Sequence, residues 1–414
     1  MAKRTIDDVD VKGRRVLMRV DFNVPLEDGA IADDRRIVST KPSIESVIGR
    51  GGRLILMSHL GRPGGSGIEA AFSLHPVAER LRDLFPGIAV HFPGDLPSGD
   101  ATRDAVANMG EGEIVLLENL RFEPGEKSGD AGFAASLAAL GDIYCNNAFG
   151  TAHREDASMV AVPEAMSSSP RVAGHLLEKE LTYLRETIAE PKRPFVAVLG
   201  GAKVSDKLRA IRNLRMRVDT VLIGGAMAYT FLKAQEIAVG GSLVEDDMVA
   251  EAKAMLDDSN GARLVLPTDH VIVTKLRANA EEDTVSGPIP PTHMGVDIGP
   301  QSRSAFAEIL KGAKTIVWNG PMGVFEVKPF DAGTRAVAEA IVGATASGAT
   351  SVVGGGDSAA AAEAFDLVDR FSHVSTGGGA SLELLEGRSF RSVELLEDAS
   401  SSAGTGTRAW SGAG

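Results

Sequence analysis

The sequence predicts an α/β protein of two domains, each a mostly parallel sheet flanked by helices. Three observations predict it. The chain has 414 residues, past the roughly 250–300 at which a single hydrophobic core stops growing. Short apolar runs alternate with amphipathic stretches along its length, the pattern of strand–turn–helix–strand units. The apolar runs of the second half each lead into glycine or other small residues. On doubly wound sheets that is where ligands bind, outside the carboxyl ends of the strands.

In the first half, Arg15–Phe22, Arg53–Leu60, Glu113–Leu120 and Ile143–Phe149 read as buried strands. Helical patterns fall near 40–50, 75–85, 101–109 and 132–140. From Ala173 to Glu190, Leu177, Leu181, Leu184 and Ile188 recur at three- and four-residue spacing, and Pro191 and Pro194 end the pattern. This predicts a long helix joining the two domains; a surface helix within one domain is the alternative. In the second half, Phe195–Gly200, Asp219–Gly224, Lys314–Trp318, Thr350–Val353 and Phe371–Ser375 read as strands. The expected division is 1–172, a linker and hinge at 173–190, a second domain at 191–387, a returning segment at 388–397, and a flexible tail at 398–414 rich in Ser, Gly, Ala and Thr.

Composition narrows the function. A net charge of −13 argues against nucleic acid or an anionic membrane as the main partner. No apolar run reaches the ~20 residues of a membrane-spanning helix, and Met1 to Asp8 contains no apolar signal core. The single cysteine, Cys145, excludes an internal disulfide and fits a cytoplasmic protein. A monomer is expected. In so acidic a chain, an anionic substrate requires basic residues concentrated in one place.

The second half has five strand exits without bulky side chains: Gly200-Gly201-Ala202-Lys203, Gly224-Gly225-Ala226, Asn319-Gly320-Pro321, Gly354-Gly355-Gly356-Asp357 and Gly377-Gly378-Gly379. Glycine lets a phosphate or a base approach the backbone, and helix N-termini bind anions. One such exit is an ordinary turn; five in register point to a nucleotide. The site is neither of the common ones, since no G-x-x-x-x-G-K-[ST] occurs and no G-x-G-x-x-G opens the first strand–helix unit. Lys203 and Lys207, four apart, would share one face of a helix starting near Val204 and hold phosphates. Asp357, at the start of a helix over 358–365, is either an N-cap or an oxygen ligand for Mg2+.

The first half supplies the basic residues. Arg36, His59 with Arg62, Arg121, and His153 with Arg154 lie at or just beyond apolar segments, with Asp21 and Asn23 at the exit of the first strand. Guanidinium groups match phosphate and carboxylate oxygens two at a time, so the expected ligand is a small phosphorylated acid. No histidine pair has metal-ligand spacing. His75, His91, His175, His270 and His293 read as structural.

These segments resemble the motifs of phosphoglycerate kinase. In the first half they are Val20-Asp21-Phe22-Asn23-Val24-Pro25, Ser58-His59-Leu60-Gly61-Arg62-Pro63, Leu116 to Phe122 and Asn147 to Arg154. In the second they are Leu199 to Lys207, Trp318 to Glu326, Gly354 to Ser358 and Ser375 to Ala380. They run in the family's order from residue 20 to about 387. The resemblance implies two Rossmann-like domains facing across a cleft that closes about the linker. It implies transfer of a phosphoryl group between 1,3-bisphosphoglycerate and Mg-ADP, giving 3-phosphoglycerate and ATP, with Mg2+ as cofactor.

The resemblance also assigns residues. Asp21, Asn23, Arg36, His59, Arg62, Arg121, His153 and Arg154 would face the phosphorylated acid. Gly201, Lys203, Lys207, Asn319, Glu326, Gly356, Asp357 and Ser358 would meet the nucleotide, Glu326 at the ribose and Asp357 on the metal. Arg36, Lys203, Lys207 and the amides of Gly378 and Gly379 would act on the group in flight. Three positions depart from the family: Asn147 where Asp is frequent, Ala226 for a third glycine, and Ser358 for Thr. The rival readings are a dinucleotide-dependent oxidoreductase, which lacks its fingerprint, and an inactive or differently specific binding protein on the same fold.

Overall fold

The structure, a computed structural model, describes residues 2–186, 190–258 and 261–399. In the first half, β1 (Arg15–Val20), β2 (Arg53–Met57), β3 (Val90–His91), β4 (Ile114–Leu116), β5 (Ile143–Asn147) and β6 (Arg171–Ala173) form one parallel sheet. Its order is β3-β4-β2-β1-β5-β6. The central strands are mostly apolar because helices cover both faces, with the buried Arg19 in β1 and Asn146 and Asn147 in β5 as exceptions. Val16, Met18, Leu54, Leu56, Ile143 and Cys145 pack in one core cluster with Ile44, Val47, Val77 and Leu81 from two of those helices.

The second half repeats the plan. There β7 (Phe195–Leu199), β8 (Thr220–Ile223), β9 (Arg263–Val265), β13 (Thr315–Asn319), β14 (Thr350–Val353) and β15 (His373–Val374) pair in parallel, in the order β9-β8-β7-β13-β14-β15. A separate antiparallel sheet of β10 (Asp269–Val273), β11 (Asp283–Ser286) and β12 (Met294–Ile298) is inserted between β9 and β13. The fold class is the predicted one, two parallel-sheet α/β halves. The antiparallel sheet was not predicted, and neither were the strands β3, β6 and β9, whose two or three residues carry no readable period.

The described residues divide into two compact units. One takes those of Met1–Ala148, Arg154–Glu178 and Arg391–Gly414; the other takes Phe149–His153 and Lys179–Phe390. Within the first, Arg4 N donates to Glu397 O at 2.8 Å and Glu397 N to Arg171 O at 2.9 Å, tying the two ends of the chain to β6. Of the expected tail, residues from 400 onward lie outside the described residues. Among the described residues, no helix is long and apolar enough to cross a membrane.

Three local expectations are corrected. The helix expected over 173–190 is an α-helix at His175–Leu181 followed by a π-helical turn at Thr182–Glu186, and 187–189 lie outside the described residues. It begins late because Ala173 belongs to β6 and the fully buried Asn147 accepts a hydrogen bond from Leu176 N at 3.0 Å. The helix expected from Val204 starts at Leu208 instead, with Lys207 as its N-cap. Ser205 is drawn aside by Glu245, which accepts from its N–H at 3.0 Å and its hydroxyl at 2.5 Å. Lys203 and Lys207 therefore do not share a helical face. The helix after β14 starts two residues early, at Gly356, so its N-cap is Gly355 and not Asp357.

Candidate active site

At the carboxyl end of the first sheet, side chains take over the backbone's hydrogen bonding after β1, β2 and β4. Phe22 N donates to Ser58 Oγ at 2.9 Å, and Gly61 N donates to Asn23 Oδ1 at 2.8 Å, joining the loops after β1 and β2. Asn119, fully buried after β4, holds that junction from beneath. Its Nδ2 donates to Leu60 O at 2.7 Å and Phe72 O at 2.9 Å, and its Oδ1 accepts from Leu60 N and Arg121 N. Asn119 stands in a quoted motif, but sequence alone offered no role for it, because its partners are distant in the chain.

On this frame sit the predicted cations. Arg36 Nη1 donates to Asp21 Oδ2 at 3.0 Å and to Asn23 O at 3.2 Å. Arg121 Nη1 donates to Gly61 O at 2.7 Å, while its Nε is buried without a partner. Arg154 Nη1 lies 3.4 Å from His59 Nε2. Arg62 is exposed and makes no hydrogen bond or ion pair among the described residues. Of these four arginines only Arg36 has a carboxylate within ion-pair distance among the described residues. Burial, reinforced by Arg154, pushes the Arg121 pKa down. Burial, then Arg19, Arg121, Arg154 and Arg36, holds His59 well below the ordinary histidine range, so its ring is neutral. His153 belongs to the second unit, where its ring meets Phe390 edge-on at 6.4 Å.

In the second unit the strand exits interlock through backbone. Gly201 N donates to Pro321 O at 3.1 Å, Gly225 N to Met322 O at 2.9 Å, and Met227 N to Gly201 O at 3.0 Å. The approach is so close that a Cβ on Gly225 would lie 2.5 Å from Gly201 N, at a φ of +67° that favours glycine. Ala226 has helical dihedrals, so this departure from a triple glycine meets no backbone demand. Ser358, buried in the first turn of the helix Gly356–Ala364, accepts from Gly320 N at 2.5 Å. The hydroxyl that matters here is present in Ser as in Thr.

Two charged groups converge on that edge. Lys207 Nζ donates to Asn319 Oδ1. Burial lowers the Lys207 pKa to about 8, against the opposing pull of Asp357 and Asp206. Asn319 is buried, and its Nδ2 has no partner. Asp357 is exposed in the first turn of Gly356–Ala364 and makes no hydrogen bond among the described residues. Lys203 and Glu326 are exposed. Gly378 and Gly379 open the helix Gly379–Leu385, and an added Cβ at either would meet nothing within 4 Å. Among the described residues, no group of three or more His, Cys, Asp or Glu side chains is placed to hold a metal.

Sequence reasoning missed one buried set. Arg19, Glu126 and Ser158 are fully buried beneath His59 and joined by hydrogen bonds. The only available signal was an arginine inside the apolar run of β1.

The family model for phosphoglycerate kinase matches residues 6–388. A phosphoglycerate kinase of Rhodopirellula baltica is 55% identical over 403 residues, covering 96% of this chain and all of that protein. One from Chlorobium limicola is 50% identical over 402 residues with the same coverage. Among solved structures, a phosphoglycerate kinase from Coxiella burnetii superposes with a TM-score of 0.86 at 36% identity, over 95% of this chain and 98% of that one. Another, from Pyrococcus horikoshii, does so at 0.80 and 29%, with the same coverage of both chains. Matched from end to end by family model, sequence and fold, this chain belongs to the phosphoglycerate kinase family.

Proposed function

We infer that the chain transfers a phosphoryl group between 1,3-bisphosphoglycerate and Mg-ADP, yielding 3-phosphoglycerate and ATP, and runs the reverse reaction. The observation that carries this reading is the arginine set Arg36, Arg62, Arg121 and Arg154 in an acidic protein, with one carboxylate among the described residues, Asp21, within ion-pair distance of it. Such a cationic surplus suits a ligand bearing both phosphate and carboxylate oxygens. Asp21, Asn23 and His59 complete the assignment, and His153, which belongs to the second unit, is left out of it. The nucleotide is assigned to Gly201, Lys203, Lys207, Asn319, Glu326, Gly356, Asp357 and Ser358. The unpartnered Asn319 Nδ2 supports that assignment as a donor lacking an acceptor. A cytoplasmic monomer remains our reading of its state.

The chemistry asks little of a base. The bond from phosphorus to the acyl oxygen breaks as a terminal oxygen of ADP bonds to phosphorus, and the electron pair leaves on a carboxylate. Catalysis is then alignment plus neutralisation of charge on the equatorial oxygens. We assign that work to Arg36, Lys203, Lys207 and the amides of Gly378 and Gly379. Asp357 would hold Mg2+, which when bound neutralises phosphate charge. A single carboxylate completed by phosphate oxygens and waters is a usual donor set for this ion, so the residues present fit it.

A coupled assay for ATP formation from 1,3-bisphosphoglycerate and ADP tests the reading; no turnover would refute it. Arg62→Ala and Arg154→Ala should each raise KM for 3-phosphoglycerate with nucleotide KM unmoved, because they hold groups bound alike in ground and transition states. A shift in nucleotide KM instead would place the substrates wrongly. The pH profile gives a further check. The Lys207 ammonium loses its charge as pH rises through about 8, so kcat/KM for nucleotide should fall above that point. Lys207→Arg should move the fall to higher pH; an unmoved profile would clear Lys207 of causing it.

A further inference from the structure

Beneath the arginine set runs a hydrogen-bond chain with a single allowed direction. Glu126, fully buried, accepts from Ser158 Oγ at 2.6 Å and from Ser158 N at 3.0 Å. The hydroxyl's one proton being spent on Glu126, its oxygen accepts from Arg19 Nε at 2.8 Å. Arg19 also donates through Nη1 to Val20 O. Its Nη2 lies 3.1 Å from His59 Nδ1. A guanidinium has no lone pair to offer, so His59 Nδ1 must be the accepting nitrogen.

On the other side of the ring, Nε2 lies 3.4 Å from Arg154 Nη1, also a donor only. A neutral imidazole has one accepting nitrogen, and two guanidiniums compete for it. Arg19 holds the shorter contact and is fixed by Ser158, whereas Arg154 has no other hydrogen bond among the described residues. The remaining charged groups facing the ring are Arg36, Arg121 and Asp21, whose Oδ1 is 3.9 Å from Nδ1, too far to accept its proton. The proton therefore sits on Nε2 and faces Arg154, two donors with no acceptor between them. An oxygen anion supplies what both lack.

We propose that Arg19 is a positioning residue that fixes His59 as its Nε2–H tautomer, so that His59 and Arg154 present donors to one oxygen of the phosphorylated acid. This rests on the reading of the first-unit site given above. It makes His59 a neutral hydrogen-bond donor and excludes it as a proton acceptor.

The test begins with the intact, ligand-free protein labelled with nitrogen-15 at histidine. Long-range proton–nitrogen correlation should show His59 Nδ1 unprotonated and Nε2 protonated, unchanged across the neutral range. A protonated Nδ1, or shifts averaged between the two forms, overturns the proposal. Adding 3-phosphoglycerate should move the Nε2 signal and spare Nδ1. If the tautomer is as stated but Nε2 does not respond, the positioning by Arg19 stands and the substrate assignment fails.

A variant then tests the link. Arg19→Met alone strands a buried carboxylate, so Glu126→Gln is combined with it to remove both charges. The pair should lose the single tautomer and raise KM for 3-phosphoglycerate about tenfold, the scale of one hydrogen bond to a charged group. Values of kcat and nucleotide KM should stay within about twofold. A purely structural role would lower the melting temperature and leave tautomer and KM alone, and that result would also overturn the proposal.

Discussion

Arg36→Ala should lower kcat by on the order of 10³–10⁵, the usual weight of a cation on a phosphoryl group in flight. Both KM values should stay within a few-fold, because a group engaged only in the transition state contributes little to binding either substrate alone. Lys207→Ala should behave in the same way. The double variant should cost less than the sum of the singles if, as proposed, both neutralise one charge. Arg36 also partners the mostly buried Asp21, so a melting curve must accompany the kinetics, and Arg36→Lys keeps the charge as a control. Steady-state kinetics in both substrates decide the matter. A near-normal kcat in Arg36→Ala would remove it from the catalytic group.

Asp357→Ala should nearly abolish turnover and weaken Mg-nucleotide binding while leaving stability almost unchanged. The two readings of this residue differ in their outcome. An N-cap carboxylate is worth about 1 kcal/mol of stability, but the cap position here belongs to Gly355, and Asp357 is exposed without a hydrogen bond among the described residues. Its only interaction among the described residues that bears on the site is its pull on Lys207, so its loss should be felt at the ligand. Calorimetric titration with Mg-ADP beside a melting curve separates the effects. Unchanged affinity for Mg-ADP would exclude Asp357 as the metal's ligand.

Much of this was legible before the structure. The parallel sheets follow from apolar runs that end in glycine, since strands buried on both faces need continuous apolar residues. The exits of β7, β8, β13, β14 and β15 do gather at one sheet edge, as glycine after glycine predicted. Illegible were the elements too short to have a period, β3, β6 and β9, and the antiparallel sheet inserted before β13. Helix starts were misplaced by two to four residues at Leu208 and Gly356. At Leu208 a side chain distant in sequence, Glu245 at Ser205, competes with the helix for the backbone.

The amino-acid order alone settled the family, the fold class and the surplus of arginines in an acidic chain, because these depend on residue type and spacing. It did not settle the state of any single group. That Lys207 is a cap with a lowered pKa, that Asp357 is free of capping, and that Arg19, held by Ser158, reaches His59 are facts of three-dimensional proximity. Burial strips water from a charge, and donors and acceptors far apart in the chain then decide which proton sits where. No local pattern encodes such pairings, since each depends on packing that forms only when the whole unit has folded.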